Sequence, residues 1–279
     1  MEIHEPIDQK KKLNIIAIAD TTEVGKAALC HGLKLAEVFQ ASLTVITNFG
    51  FALEKKKPNE ATQALLEPLV PQGVELLWNN EYFFLELLYG FAEKNNTIMF
   101  VIGVGTSKDK SFFTKQKALR FIKPSRLPVM TVGKQMPASN AYQQVILPVD
   151  IERQAKEKAL WAGYFSRFYK ANIHILRTKY EDEGLQLQVD ENVAFVEKLY
   201  NNLEIQYVID TVPPQKDMDL YSVSYANQVQ ASLTVIMMTK YYTLADLLLG
   251  PHERKVIGNE LGLPVLCINQ RDDLYVLCT

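Results

Sequence analysis

One hexapeptide pattern occurs twice in this chain, and its recurrence limits the possible folds more than any other feature. Residues 127–132 read Leu-Pro-Val-Met-Thr-Val, and residues 263–268 read Leu-Pro-Val-Leu-Cys-Ile. Each proline follows a helical pattern and precedes an apolar run. Proline ends a helix, and it is tolerated at the first position of a strand because no N–H has to be donated to the sheet there. Each hexapeptide therefore predicts a buried strand that closes one copy of a repeated unit.

Other segments recur at a nearly constant spacing. Residues 15–20 (IIAIAD) return 130 residues later as 145–150 (VILPVD), and residues 41–46 (ASLTVI) return at the same spacing as 171–176 (ANIHIL). The two hexapeptides are 136 residues apart. Loop insertions change such spacings slightly and leave the order of the elements unchanged. The chain is therefore predicted to consist of two copies of one unit.

Strand patterns alternate with helix patterns in both copies. In the first copy the predicted strands are residues 14–19, 43–47, 74–78, 97–102 and 127–132, and the predicted helices are 24–39, 60–70, 81–94 and 115–123. In the second copy the predicted strands are residues 145–149, 173–177, 205–209, 233–238 and 263–268, and the predicted helices are 155–169, 191–203, 220–230 and 251–261. Residues 49–58 and 103–114 are predicted to be loops.

This alternation indicates parallel strands joined by helical crossovers. The predicted fold class is α/β, with two tandem open five-stranded parallel sheets that carry helices on both faces and are related by a pseudo-two-fold axis. The predicted domains are residues 1–136 and 141–279, in line with the usual size of about 150 residues per domain. Ligands of open α/β sheets bind beyond the carboxyl ends of the strands, which directs attention to Asp20 and Asp150.

Charge and hydropathy limit the kinds of partner that this protein is expected to bind. The chain has 279 residues, a formal net charge of −2 and a pI near 6.1, so no global field attracts nucleic acid or an anionic membrane, although a local basic patch is compatible with these values. The first residues lack the apolar core of a signal peptide, and no later apolar run approaches the ~20 residues of a membrane span. We therefore expect a soluble, cytoplasmic protein that binds neither nucleic acid nor membrane.

Taken together, these features resemble the universal stress protein family in its tandem, two-domain form. The resemblance rests on the element order, on the Pro-Val strand that ends each copy, and on a first-strand aspartate followed by a helix that contains Ala-Leu, at Ala28-Leu29 and Ala159-Leu160. It implies the adenine-nucleotide-hydrolase-like fold of that family. It also implies that the Pro128 and Pro264 strands pair within the chain, giving an intrachain pseudo-dimer, and that a homodimer can form beyond it.

Nucleotide-binding members of the family carry Gly-x-x-Gly, nine residues, and then Gly-Ser or Gly-Thr before the last helix. Glycines let backbone N–H groups approach phosphate, and the helix N-terminus adds favourable partial charge. The first copy keeps Gly103 and Gly105 but has Lys115 at the later glycine position. The second copy keeps Gly250, which is followed by a proline where the hydroxyl residue belongs. Neither copy has the complete phosphate cradle.

The resemblance nevertheless implies a set of ligand contacts, because the family's first-strand aspartate approaches the nucleoside. The candidate residues for a nucleotide or another anion are Asp20, Gly103, Gly105, Lys115, Asp150 and Gly250. The ligand implied is ATP or another nucleotide with Mg²⁺, and no cofactor is required. The alternative is that the aspartates cap turns and the glycines are ordinary loop residues. Losing two or three hydrogen bonds to phosphate, at roughly 1.5–3 kcal/mol each, argues against tight binding of ATP.

No catalytic motif is present: the sequence contains no nucleophile elbow, no zinc-protease helix motif and no complete Walker loop. Cys30, Cys267 and Cys278 show no metal or redox spacing, so we expect reduced structural thiols. Three functions stay open. The first is a non-catalytic stress-response or regulatory protein with weak or altered nucleotide binding. The second is a scaffold for an unidentified protein partner, with vestigial ligand sites, and the third is a nucleotide hydrolase.

Overall fold

The structure is a computed structural model that describes residues 12–54, 56–151, 155–239 and 251–270. The strands are β1 (Asn14–Ile18), β2 (Ser42–Ile46), β3 (Phe49–Gly50), β4 (Leu77–Asn79), β5 (Phe83–Phe84), β6 (Thr97–Gly105), β7 (Phe113–Thr114), β8 (Val129–Val132), β9 (Gln144–Val149), β10 (Asn172–Thr178), β11 (Tyr207–Val212), β12 (Leu233–Met237) and β13 (Val265–Ile268). The helices are α1 (Glu23–Phe39), α2 (Glu60–Leu66), α3 (Leu85–Lys94), α4 (Lys115–Ile122), α5 (Ala155–Tyr169), α6 (Glu183–Asn202), α7 (Met218–Tyr225) and α8 (Glu253–Val256). Among these helices, none combines the length and the apolar character needed to cross a membrane.

The two halves of the chain build the same five-stranded arrangement. In the first half the strand order is β4-β2-β1-β6-β8, and in the second it is β11-β10-β9-β12-β13. All neighbouring strands within a half are parallel. In both halves the first strand of the unit lies at the centre, and the chain direction across the sheet reverses beside it. This is the topological switch point at which ligands of open α/β sheets bind, and the predicted α/β fold class is confirmed.

The closing strands of the two halves join them into a single sheet. β8 and β13 pair antiparallel, with Leu266 opposite Met130 and Cys267 opposite Val129. The expected intrachain pairing of these strands is therefore present, and what the sequence suggested as two sheets is one continuous sheet. Because the strands are parallel within each half and antiparallel at the join, the carboxyl ends of the two halves lie at opposite edges of the sheet.

Helices cover both faces of this sheet and bury two apolar cores. One face packs against α1, α5 and α6, and its core is continuous across the halves, where Phe39 of α1 meets Phe165 of α5 with ring centroids 5.1 Å apart. The other face packs against α3, α4, α7 and α8. The pseudo-repeat is thus held by shared core packing as well as by the strand pair, and both contacts are apolar and almost fully buried.

Several element boundaries differ from the sequence-based expectation. Residues 103–105 continue strand β6 and are not part of a loop, and a helix predicted over 81–94 begins at Leu85 because Phe83–Phe84 pairs with Phe49–Gly50. Aromatic residues favour strands wherever a partner strand is within reach. The last helix, predicted over 251–261, is confined in the described residues to Glu253–Val256.

The second half is more open than the first at its centre. β9 pairs with β12 through Leu233 and Thr234 alone, whereas β1 pairs with β6 as far as Ile18 and Ile102. Pro148 lies in the part of β9 that follows the residues paired with β12, and proline has no N–H to donate to a neighbouring strand. The proline therefore accounts for the early separation of β9 and β12.

Candidate functional site

The first candidate site lies at the carboxyl end of β1, where Asp20 is held by the chain itself. Its Oδ1 accepts hydrogen bonds from the Thr22 amide (2.9 Å) and from the Thr22 hydroxyl. Its Oδ2 accepts a hydrogen bond of 2.8 Å from the amide of Phe112. Thr22 is in turn the N-cap of α1 and accepts a hydrogen bond from the amide of Gly25. Both carboxylate oxygens of Asp20 thus hold the start of α1 and the loop after β6.

Two glycines let the backbone of α1 approach this end of the sheet very closely. A Cβ on Gly103 would collide with the Val24 carbonyl, and a Cβ on Gly25 would collide with the backbone and the carboxylate of Asp20. Gly105 is less crowded, since its Cβ would lie 2.7 Å from the Ser111 hydroxyl. The close approach that Gly103 permits is therefore to the helix of this chain, and not to an open space.

The loop that follows β6 is closed by its own hydrogen bonds. Asp109 Oδ2 accepts hydrogen bonds of 2.7 Å from both the amide and the hydroxyl of Thr106, and Lys134 Nζ donates to Asp109 Oδ1 at 3.1 Å. These contacts, first of all the Thr106 hydroxyl, lower the pKa of Asp109 to about 2. The amide of Thr106, at the start of the loop, is therefore already bound to a carboxylate of the chain.

A cluster of phenylalanines packs beside this loop, and we call it the phenylalanine cluster. Phe49 stacks on Phe113 with centroids 5.2 Å apart, and the remaining members are Phe51, Phe112 and Phe121. Asn48, which follows β2, donates a hydrogen bond of 2.8 Å to the Lys57 carbonyl. The residues beyond β2 thus build the protein's own core and loops.

Lys115 does not join the other first-half candidates. It begins α4, and its aliphatic chain lies against Gly258 of the second half so closely that a Cβ there would collide with it. The structure therefore brings Asp20, Gly103 and Gly105 together around the start of α1 and the loop after β6. Lys115 is instead part of the contact between the halves.

The second candidate site is at the opposite edge of the sheet, around Asp150. The Asp150 Oδ1 accepts hydrogen bonds of 2.9 Å from the Ile151 amide and from the Tyr180 hydroxyl. Asn192 of α6 donates a hydrogen bond of 2.7 Å to the Asp150 carbonyl. Burial, followed by the neighbouring Asp150, raises the pKa of Tyr180 to about 12. Tyr180 thus covers Asp150, and Gly250, the remaining candidate, lies outside the described residues.

The sequence analysis did not single out Glu253, which is fully buried at the start of α8. Its Oε1 accepts a hydrogen bond of 2.8 Å from the amide of Thr239, just beyond β12, and its Oε2 has no hydrogen-bond partner among the residues that the structure describes. His252 lies between carboxylates, with Nδ1 3.6 Å from Glu253 Oε2 and Nε2 3.8 Å from Asp219 Oδ2. Asp219 is the main cause that raises the pKa of His252 to about 9. In the sequence Glu253 follows the end of β12 by sixteen residues, and no local pattern marks it as a buried residue.

No metal-binding arrangement is present in the part of the chain that the structure describes, since no three His, Cys, Asp or Glu side chains converge there. Burial raises the pKa of the half-buried Cys30 thiol and of the fully buried Cys267 thiol. Both thiols are therefore poor nucleophiles.

Comparison with known proteins assigns the fold. No protein-family profile matches the sequence, and no curated protein matches it. Among solved structures, a universal stress protein from Archaeoglobus fulgidus DSM 4304 aligns at a TM-score of 0.65 and 11% identity, covering 93% of this chain and 97% of that chain. A structure described as that of a putative universal stress protein, from Pseudomonas aeruginosa UCBPP-PA14, aligns at a TM-score of 0.62 and 15% identity, covering 95% of each chain. A functionally unknown protein from Pseudomonas aeruginosa PAO1 aligns at a TM-score of 0.63 and 14% identity, also covering 95% of each chain. The whole chain therefore has the α/β fold of two-domain universal stress protein structures.

Proposed function

We propose that this chain is a non-catalytic regulatory protein of the universal stress protein type, and that its own side chains close both nucleotide sites so that nucleotide binds only weakly. The observation that carries the proposal is the environment of Asp20, whose two carboxylate oxygens accept hydrogen bonds from Thr22 and Phe112. A nucleoside that used this carboxylate would compete with these donors for its two oxygens. Hydrogen bonds to charged groups contribute roughly 1.5–3 kcal/mol each.

The charge beyond β12 also supports weak binding. The buried Glu253 carboxylate already accepts the Thr239 amide hydrogen, and Asp219 lies nearby across His252. An amide beyond the fourth strand of an α/β unit is a donor that a phosphate oxygen would use. A bound phosphate would therefore compete with an internal anion, and the protonated His252 offsets only one of the two nearby carboxylates.

Several finer features belong to the same proposal. The two units are taken as residues 1–136 and 141–279, and the protein is taken to act in the cytoplasm in a stress response. Homodimerisation beyond the intrachain strand pair is also part of it. The support is the shared fold of the solved universal stress proteins, together with the two equivalent strand orders in this chain.

Calorimetric titration with ATP and Mg²⁺ tests the proposal, preceded by mass spectrometry of small molecules released from the denatured protein. We expect no stoichiometric nucleotide in the purified protein and a measurable dissociation constant of about 1 mM, equivalent to about 4 kcal/mol. The variant Glu253→Gln removes the internal negative charge and is expected to tighten binding several-fold, whereas Glu191→Gln on the exposed side of α6 serves as a matched control. Micromolar binding by the unaltered protein would contradict the proposal.

A protein-interaction scaffold with vestigial sites is the second candidate. It is favoured by Tyr180, which donates a hydrogen bond to Asp150 and so occupies the second site as Phe112 occupies the first. The absence of any heat of binding at millimolar ATP would select this alternative. Turnover of ATP that depends on a divalent metal would instead support a hydrolase.

A further inference from the structure

Charge is distributed very unevenly along this chain. Residues 101–136 contain eight lysine and arginine residues and a single carboxylate, Asp109, so this segment carries a formal charge of +7. The whole chain carries −2, and the remaining residues therefore carry −9. Blocks of like charge repel one another, and such a block on a folded surface attracts a partner of opposite sign.

Helix α4 places several of these cations on one outer surface. Residues 118, 119, 121 and 122 of α4 are buried in the apolar core, whereas Lys117, Arg120 and the following Lys123 are exposed. Positions 117, 120 and 123 succeed one another at intervals of three residues, which keeps them on the same side of a helix. The core thus fixes the orientation of α4 and directs its positive side chains away from the protein.

The loop after β6 carries two further exposed cations. Lys108 and Lys110 are exposed in that loop, and the one acidic residue between them, Asp109, is paired with Lys134. The phenylalanine cluster joins the loop to α4, because Phe112 and Phe121 both contact Phe49. The exposed residues Lys108, Lys110, Lys117, Arg120 and Lys123 are called the basic face below.

An exposed apolar side chain lies next to the basic face. Arg120 sits over the ring of Phe51, 5.1 Å from its centroid, and Leu53 two residues further on is 77% exposed. The intervening Ala52 carbonyl accepts a hydrogen bond of 2.6 Å from the Tyr82 hydroxyl, which fixes this loop. Arginine is enriched at the energetic centres of protein interfaces, and the exposed Leu53 adds apolar area beside Arg120.

We propose that the basic face docks an acidic segment of another protein, with Leu53 as its apolar anchor. This proposal names the partner class of the regulatory function proposed above and rests on it. α4 has eight residues and is about 12 Å long, so the face matches a short segment. A nucleic-acid duplex or an anionic membrane extends well beyond it and would be repelled by the net charge of −9 on the other residues. The apolar anchor also has no counterpart on a phosphate backbone.

Fluorescence anisotropy with defined probes tests this assignment at low ionic strength. The probe is a labelled peptide of glutamate and leucine, about 20 residues and roughly 30 Å long as a helix, and a poly-glutamate peptide of equal charge lacks the leucines. The double variant Lys108→Glu, Lys117→Glu reverses two charges on the basic face. The matched control Lys170→Glu, Lys198→Glu reverses two exposed lysines of the second half.

We expect the basic-face variant to bind the Glu-Leu peptide about ten-fold or more weakly and the control less than two-fold more weakly. Leu53→Ser is expected to weaken binding of the Glu-Leu peptide but not of poly-glutamate. Unchanged thermal unfolding shows that the variants fold. Equal loss in both double variants, no binding by the unaltered protein, or tighter binding of a DNA duplex or of phosphatidylserine vesicles than of the peptide would overturn the proposal. Nucleotide titration of the same proteins reports separately on the weak-binding function.

Discussion

A buried histidine at the join of the two halves gives the protein a pH-dependent stability that can be worked out from its contacts. His31 of α1 is 3% exposed, and its Nε2 is 3.0 Å from the Gln135 carbonyl. Because a carbonyl only accepts, Nε2 carries the proton, and the neutral Nδ1 accepts the hydrogen bond that the Tyr142 hydroxyl donates. Burial lowers the pKa of His31 to about 4, and the Gln135 carbonyl offsets this only partly.

The sign of the effect follows from the two protonation equilibria. The unfolded chain binds a proton at His31 near pH 6.5, whereas the folded chain does so only near pH 4. The stability contributed by the neutral ring is therefore complete above pH 6.5 and is lost as the pH falls from 6.5 to 4. Between about pH 7.5 and about pH 5 the loss amounts to about 2 kcal/mol. With a urea slope of about 3 kcal/mol per molar, the unfolding midpoint falls by about 0.7 M.

Urea unfolding of the unaltered protein and of His31→Gln at these two pH values measures the effect. Glutamine can donate to the Gln135 carbonyl and accept from Tyr142 without titrating, so the variant should lack this part of the pH dependence. Other groups, including His252, titrate in both proteins and cancel in the comparison. Tyr142→Phe is the control: it removes one hydrogen bond and costs about 1–2 kcal/mol at both pH values, but it leaves the ring buried and the pH dependence in place. Equal losses of stability in the unaltered protein and in His31→Gln would refute this reasoning.

Three further predictions concern stability and can be checked by thermal and urea unfolding. Gly103→Ala is expected to destabilise the protein by about 3 kcal/mol or to prevent folding, because the new methyl group collides with the Val24 carbonyl; a midpoint within error of the unaltered protein would contradict this. Gly90→Ala lies in the interior of α3, and apart from the backbone of α3 itself no atom of the described residues comes within 4 Å of the new Cβ, so the variant should stabilise the protein by about 0.5–1 kcal/mol; a loss of stability would count against the packing of α3. Asn269→Ala removes two hydrogen bonds, of 2.6 and 2.9 Å, to first-half carbonyl groups and should cost about 1–3 kcal/mol, with Asn201→Ala near the end of α6 as an exposed control.

The two candidate sites show which features local sequence patterns predict and which features they do not. The sequence places Asp20 and Asp150 correctly at the carboxyl ends of the first strands, because a buried strand followed by a helix cap is a local signal. It does not reveal that Asp20 binds the amide of Phe112, since those residues are 92 positions apart and meet only through the fold. Whether the candidate residues bind a ligand stays a prediction that the titrations above decide.

The candidate anion-binding residues show most clearly which features the sequence does not predict. The sequence predicts a loop at Gly103, but this residue lies in β6 because the paired strand β8 continues the ladder as far as Val132. The sequence makes Lys115 a candidate to bind an anion, but in the structure its side chain lies against Gly258 of the second half. In each case the direction of a side chain depends on packing partners that are distant in the sequence.

The sequence alone determined the order of the elements, the two copies and the class of fold, because hydrophobic periodicity, strand-opening prolines and helix caps act over a few residues. Its family resemblance also led to the expected pairing of the Pro128 and Pro264 strands. Only the tertiary structure decided that the aspartates at both candidate sites are occupied by groups of the chain itself, and that Lys117, Arg120 and Lys123 lie on the exposed side of α4. Those outcomes depend on the geometry with which helices pack on the two faces of a continuous sheet, and that geometry is a property of the whole molecule.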